Sequence, residues 1–143
     1  MSQLRLPFST LSPAAYQGLK DTSQALADSS LGQPLVELVY LRVSQINGCA
    51  FCLEMHAKAL RDAGTAQRKL DCLAGWRISN LFDPRERAAL AWAEALTHVS
   101  GQGAPDELYE HLKALFTDVQ ISDLTFAVSL MNAFNRLAVG MRL

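Results

Sequence analysis

The sequence predicts an all-α protein, a compact bundle of about six or seven helices forming a single domain over residues 1–143. Three observations carry that expectation. Apolar residues recur every three or four positions along most of the chain. Helix-opening and helix-closing residues alternate along it, from Ser12-Pro13 through Asn47-Gly48 to Gly101-Gln102-Gly103. Hardly any stretch alternates as a strand should.

Ser12-Pro13 opens the first helix with a capping residue and a proline in the first turn, and its apolar spacing runs to about Ala27. Pro34 opens the second, through Leu35, Leu38, Val39, Leu41, Arg42 and Ile46, and Asn47-Gly48 closes it. Its Val, Tyr and Ile content suits a strand, but its length and lack of alternation predict a helix. A third helix carries Cys49, Cys52 and His56 and ends at Gly64. A fourth, shorter helix is expected from about Ala66 to Trp76. Asp83-Pro84-Arg85-Glu86 reads as a capping box opening a helix through Ala88, Ala91, Trp92 and Leu96. Gly101-Gln102-Gly103 is read as a break, Pro105 to Phe116 as a helix, and Ser122 as the cap of the last one, through Phe126, Leu130, Phe134, Leu137 and Met141.

Half of the residues are apolar and 19% are charged, which is rich in apolar residues for a soluble monomer. Some of that surface is expected in a homo-oligomer interface. The net charge is −1, without basic or acidic blocks, so neither nucleic acid nor a membrane is an expected partner. Residues Met1 to Thr10 carry Arg5 and Pro7 and lack the apolar run of a signal peptide. No stretch reaches the ~18 apolar residues of a spanning helix. The expected location is cytoplasmic. Three cysteines, an odd number, fit a secreted disulfide framework poorly, and a reducing compartment disfavours a permanent disulfide.

The chemistry concentrates in Cys49-Ala50-Phe51-Cys52-Leu53-Glu54-Met55-His56. On a helix, residues three and four apart share a face, so Cys49, Cys52 and His56 form one cluster. The helix N-terminus favours thiolate at both cysteines, and His56 stands one turn from Cys52 to accept its proton. Ionisation alone is a modest help. A roughly hundredfold gain in thiol acidity raises the thiolate fraction at pH 7 about 25-fold and costs roughly 8-fold in nucleophilicity. Protonation of the leaving group must therefore carry more of the barrier, and Cys49 or the imidazolium is placed to supply that proton. Glu37 is an acid among Leu35, Val36, Leu38 and Val39, and a buried carboxylate needs a partner. If the second and third helices pack antiparallel about Asn47-Gly48, Glu37 comes to His56 directly or through a water. The residues then form a relay of Cys52, His56 and Glu37. Which thiol attacks stays open: an exposed N-terminal position favours Cys49, and the spacing to His56 favours Cys52.

Glu37, Cys49, Cys52 and His56, with the words Leu41-Arg42-Val43-Ser44-Gln45-Ile46-Asn47-Gly48-Cys49, Trp76, Glu86-Arg87-Ala88 and Asn132-Ala133-Phe134-Asn135-Arg136, resemble the alkyl hydroperoxidase D-like (AhpD-like) branch of the carboxymuconolactone decarboxylase family. The resemblance runs from about residue 12 to the end. It implies an all-helical fold assembled as trimers or hexamers, and a peroxidase of antioxidant defence. It implies Cys52 as the thiol oxidised by hydroperoxide to a sulfenic acid. Cys49 would be the proton donor that closes the Cys49–Cys52 disulfide, with His56 and Glu37 as relay and no cofactor. It also implies a dithiol reductant, such as a lipoyl-bearing protein. The best-studied members of that branch have a histidine just before the second cysteine, where this chain has Phe51. The decarboxylase branch lacks the thiol pair.

Other readings of the same residues are a disulfide reductase with weak peroxidase activity, and a non-catalytic scaffold holding zinc through Cys49, Cys52, His56 and Glu37. No metal site is expected, because no second cysteine pair exists. Haem attachment needs a histidine where Leu53 stands. Cys72 is expected to pack in the core, His98 and His111 to be solvated, and Arg136 to cap or to face an interface. Trp76, Trp92, Phe126 and Phe134 are expected in the core.

Overall fold

The computed structural model describes residues 3–143. Met1 and Ser2, which open the stretch read above for a signal peptide, lie outside the described residues. Among the described residues there are nine α-helices and no strand: α1 (Phe8–Leu11), α2 (Pro13–Ala27), α3 (Gln33–Asn47), α4 (Ala50–Asp62), α5 (Gln67–Asp71), α6 (Pro84–Thr97), α7 (Val99–Gln102), α8 (Asp106–Lys113) and α9 (Asp118–Met141). The expected helices are present, and α1 and α7 are single turns that the apolar spacing does not mark. None of the helices described is long and apolar enough to cross a membrane.

Helix α3 is the axis of the fold, packed against α9, α4 and α6. Val39 and Val43 join Ala89 and Ala93 of α6, Leu112 of α8 and Leu124 and Val128 of α9 in one core. Leu38 and Leu41, on another face, join Leu60, Leu70, Leu73, Trp76, Phe82 and Leu90 in a second. A helix enclosed on most sides is apolar all round, which is why α3 carries strand-like residues. Each fully enclosed leucine, such as Leu90, contributes about 1.5–3 kcal/mol by leaving water.

Local signals set most boundaries. Asp83 and Glu86 form the expected reciprocal capping box, each side chain accepting from the other's backbone N–H. The break expected at Gly101-Gln102-Gly103 comes later, because α7 takes in Gly101 and Gln102 and the chain leaves the helix only at Gly103, φ 63°; two further boundaries differ from expectation. The helix expected from Ala66 to Trp76 stops after Asp71 and continues as a 3₁₀ turn, Leu73–Gly75, which places both Leu73 and Trp76 in the second core. The last helix starts before Ser122, because Thr117 and Gln120 form a capping box of their own.

The expected core residues divide. Trp76 and Trp92 are buried, and Phe134 packs against the first core. Phe126 is not core: it is 60% exposed on α9, where neighbours 127 and 128 face inward instead. Cys72 is half-buried against the second core. His98 and His111 are exposed. Arg136 donates to the Asn132 carbonyl and side-chain oxygen, one turn back on the surface of α9.

Candidate active site around Cys49 and Cys52

A single turn between α3 and α4 places both cysteines. Gly48 adopts the left-handed conformation, φ 66°, which costs least for glycine. The Gly48 N–H donates to the Gln45 carbonyl, and the Cys49 N–H to the Ser44 carbonyl at 3.1 Å, so α3 ends in a Schellman motif. Cys49 then caps α4, its Sγ accepting from the Cys52 N–H at 3.3 Å. Its backbone thus closes one helix while its side chain opens the next. Cys49 and Cys52 are paired as a disulfide, with Cα atoms 5.3 Å apart. Both are buried, and they pack on Ala138 of α9.

A polar network from α9 braces this turn. Asn47 Nδ2 donates to Asn132 Oδ1 and Asn135 Oδ1, each at 3.0 Å. Asn135 Nδ2 in turn donates to Ser44 Oγ at 3.1 Å. Asn135 and Ser44 are both fully buried. The network fixes the residues on either side of Gly48, so the cysteines are held from α9 as well as from α3.

The buried positions of α4 are Cys52, His56 and Leu60, a strict four-residue stripe. The antiparallel passage of α3 brings Glu37 to that stripe. His56 Nδ1 and Glu37 Oε2 are 2.6 Å apart, a direct contact without an intervening water. The Glu37 carboxylate accepts, so Nδ1 carries the hydrogen, and Nε2 is left as the basic nitrogen. Nε2 is buried and has no hydrogen-bond partner among the described residues. The four residues singled out from the sequence therefore meet at one place, with no hydrogen bond between His56 and Cys52 in this disulfide form.

Cys52, His56 and Glu37 line a cavity of about 350 Å³ whose other walls include Phe8, Tyr16, Phe51, Met55, Phe134 and Leu137. The N-terminal segment supplies Phe8 to its wall and is tied to the end of α9. The Arg5 N–H donates to the Met141 carbonyl and its guanidinium to the Gly140 carbonyl. Phe8, Tyr16 and Phe134 meet edge to face, with centroids 6.0 and 6.5 Å apart. Cys49 does not line this cavity; it lines an adjoining hollow with Gly48, Ala50, Val139 and Arg142, and the two share Phe51, Ala138 and Leu143. Among the described residues, no group of three or more histidine, cysteine or acidic side chains is arranged to hold a metal ion.

The model of the carboxymuconolactone decarboxylase family matches residues 13–95, more than half of the chain. This chain belongs to that family. It is similar to the Bacillus subtilis protein YdfG, which is uncharacterised: 33% identity, covering 99% of this chain and 95% of that one. A crystal structure from Agrobacterium tumefaciens superposes with a TM-score of 0.93 at 36% identity, covering 98% of this chain and 96% of that one. That protein is of unknown function and bears the provisional name antioxidant defence protein AhpD. An uncharacterised peroxidase-related protein of Silicibacter superposes with a TM-score of 0.80 at 25% identity, covering 89% of this chain and 68% of that one. Within the carboxymuconolactone decarboxylase family, the chain lies in the AhpD-like branch.

The spacing of the cysteines and His56 does not reveal Tyr40. Its signal is present in the sequence: it follows Glu37 by three residues, on the same face of α3. Tyr40 is buried beside His56, ring centroids 5.1 Å apart, and lines the same cavity. Burial pushes its phenol well above the ordinary tyrosine value, and the charge of Glu37 pushes it the same way. The Ser23 hydroxyl works in the opposite direction, without closing a hydrogen bond of ordinary geometry to Tyr40 Oη.

Proposed function

We propose that this protein is a thiol-dependent, alkyl hydroperoxidase-like antioxidant enzyme that reduces hydroperoxides through Cys49 and Cys52. One observation carries the reading. Cys52 opens onto the cavity that holds the Glu37–His56 pair, while its disulfide partner Cys49 lies outside that cavity.

In the reduced protein, His56 Nε2 takes the Cys52 proton, with Nδ1 donating to Glu37. The Cys52 thiolate attacks the terminal oxygen of the hydroperoxide. An S–O bond forms as the O–O bond breaks, two electrons pass from sulfur to oxygen, and the leaving oxygen takes a proton to become an alcohol. Cys49 sulfur then attacks the Cys52 sulfenic acid, and the hydroxyl leaves as water with the Cys49 proton. The disulfide closes between residues already held in contact by one helical turn. A dithiol reductant, such as a lipoyl-bearing protein, reopens it by thiol–disulfide exchange. The Cys49–Cys52 pair is thus a working disulfide, compatible with a cytoplasmic location.

A second reading, a protein disulfide reductase with weak peroxidase activity, is favoured by Phe51, a half-exposed apolar ring where the best-studied branch has a proton carrier. Peroxide consumption by the reduced protein, measured with a panel of dithiol donors and an organic hydroperoxide, separates the two. The peroxidase reading expects turnover that Cys52→Ser abolishes. Reduction of a disulfide substrate without peroxide consumption would establish the second reading instead.

The chain is also proposed to act as a homo-oligomer, a trimer or a hexamer. Val119 and Phe126, seven residues apart on one face of α9, are 65% and 60% exposed, with Ser122 between them. Light scattering should give three or six times 15.7 kDa; a stable monomer contradicts it.

A further inference from the structure

Two polar atoms in the cavity wall have no hydrogen-bond partner among the described residues, His56 Nε2 and Tyr40 Oη. Both side chains are more than nine-tenths buried. Leaving a buried polar group unpaired costs about 1–3 kcal/mol; the Ser23 hydroxyl stands near Tyr40 Oη without closing a bond of ordinary geometry, so both atoms remain open to a ligand in the cavity. Their capacities differ. In the neutral imidazole, with Nδ1 donating to Glu37, Nε2 accepts. The phenol can donate. One wall of the cavity therefore offers a base and an acid, and Cys52 lies in the same lining.

We propose that Tyr40 is the proton donor to the leaving oxygen of a hydroperoxide attacked by Cys52. The proposal rests on the peroxidase reading above and assigns its missing step. When the thiolate attacks the terminal oxygen, S–O forms, O–O breaks, and the departing alkoxide takes the Tyr40 proton to leave as the alcohol. The phenolate is then reprotonated by the proton that His56 took from Cys52, so that the cycle leaves both residues as they began. An alkoxide is more basic than a phenolate, so a phenol that burial keeps protonated is still able to supply it.

Three further observations single out Tyr40 for this role. Cys49, one of the two donors named from the sequence, is not in the lining of the cavity that Cys52, His56 and Tyr40 share. Phe51 offers no proton at the position where a histidine stands in the best-studied branch. His56, held at Nδ1 by Glu37, takes the Cys52 proton on Nε2 and stands beside the Tyr40 ring to return it to the phenolate. The cavity is far larger than hydrogen peroxide needs, since a water occupies about 30 Å³. Its aromatic and aliphatic walls fit the body of an organic hydroperoxide, with the peroxide group at the Tyr40–His56 end.

The test uses Tyr40→Phe in the otherwise unchanged reduced protein. The readout is the second-order rate of Cys52 oxidation in a single turnover, with cumene hydroperoxide and with peracetic acid. Acetate, the leaving group of peracetic acid, needs no proton. The expected result is a loss on the order of 10²-fold with cumene hydroperoxide and a rate within about threefold of the unsubstituted protein with peracetic acid. Equal rates with cumene hydroperoxide would overturn the proposal. So would an equal loss with both oxidants, which marks a structural role. Failure of the peroxidase reading itself looks different: the unsubstituted protein would then not oxidise Cys52 with cumene hydroperoxide at all.

Discussion

Asn135 offers the most quantitative prediction. It is fully buried, accepts from Asn47 Nδ2 at 3.0 Å and donates to Ser44 Oγ at 3.1 Å. Asn135→Leu keeps the branched heavy-atom shape with a somewhat larger side chain, and deletes both bonds together with the weak one from Nδ2 to the Met131 sulfur. Asn47 retains Asn132, so that loss is the net value of one hydrogen bond, about 0.5–1.5 kcal/mol. Ser44 Oγ retains no other side-chain partner and becomes a buried, unpaired hydroxyl, at about 1–3 kcal/mol. The sum is about 1.5–4.5 kcal/mol, or roughly 5–18 °C in Tm for a chain of this size. Urea unfolding followed by the fluorescence of buried Trp76 and Trp92, at fixed protein concentration, measures it. Adding Ser44→Ala to Asn135→Leu removes the unpaired hydroxyl, so the double variant should be more stable than Asn135→Leu alone. A destabilisation below about 0.5 kcal/mol, or a double variant no more stable than the single one, would refute the reasoning.

Other outcomes follow from the same geometry. Glu37→Gln removes the charge that holds His56 Nδ1 and should slow Cys52 oxidation on the order of 10²-fold, read by stopped-flow; an unchanged rate would make Glu37 a structural acid. Glu94 is buried, yet its pKa lies below the ordinary carboxylate value of 4.5: burial alone would raise it, but bonds from Trp76, Arg77 and Arg42 outweigh that. A depressed pKa stabilises the fold above the ordinary carboxylate range and loses that stabilisation as pH falls through the folded value. Glu94→Gln should therefore be less stable at pH 7, with a gap to the unsubstituted protein that narrows as pH falls below about 4.5. A gap independent of pH in chemical unfolding would contradict the assignment.

Residues that speak locally were legible in the sequence. The capping box at Asp83, the proline at the start of α2 and the Asn47-Gly48 stop are short-range signals, and the helices follow them. The meeting of Glu37 with His56 was legible as well, because two helices joined by one tight turn leave only one antiparallel register. What the sequence did not show was partly long-range and partly a local signal passed over. Ser44 and Asn135 are 91 residues apart, and nothing in the spacing of either announces the other. Ser122 looked like a cap, but Thr117 and Gln120 satisfy the first turn earlier. Phe126 looked like core because α9 is apolar, yet its face of the helix is left uncovered. Tyr40 was hidden by its surroundings, one aromatic in a helix that is buried nearly all round.

The central claim, that Cys52 is the peroxide-reactive thiol and Cys49 its partner, is tested most directly by trapping. Reduced Cys49→Ser protein is treated with an organic hydroperoxide and a dimedone-type probe, and the adduct is located by peptide mass spectrometry beside the same experiment on Cys52→Ser. The account predicts an adduct on Cys52 in Cys49→Ser and none on Cys49 in Cys52→Ser. An adduct on Cys49 in Cys52→Ser with none on Cys52 in Cys49→Ser, or adducts confined to Cys72, would contradict it.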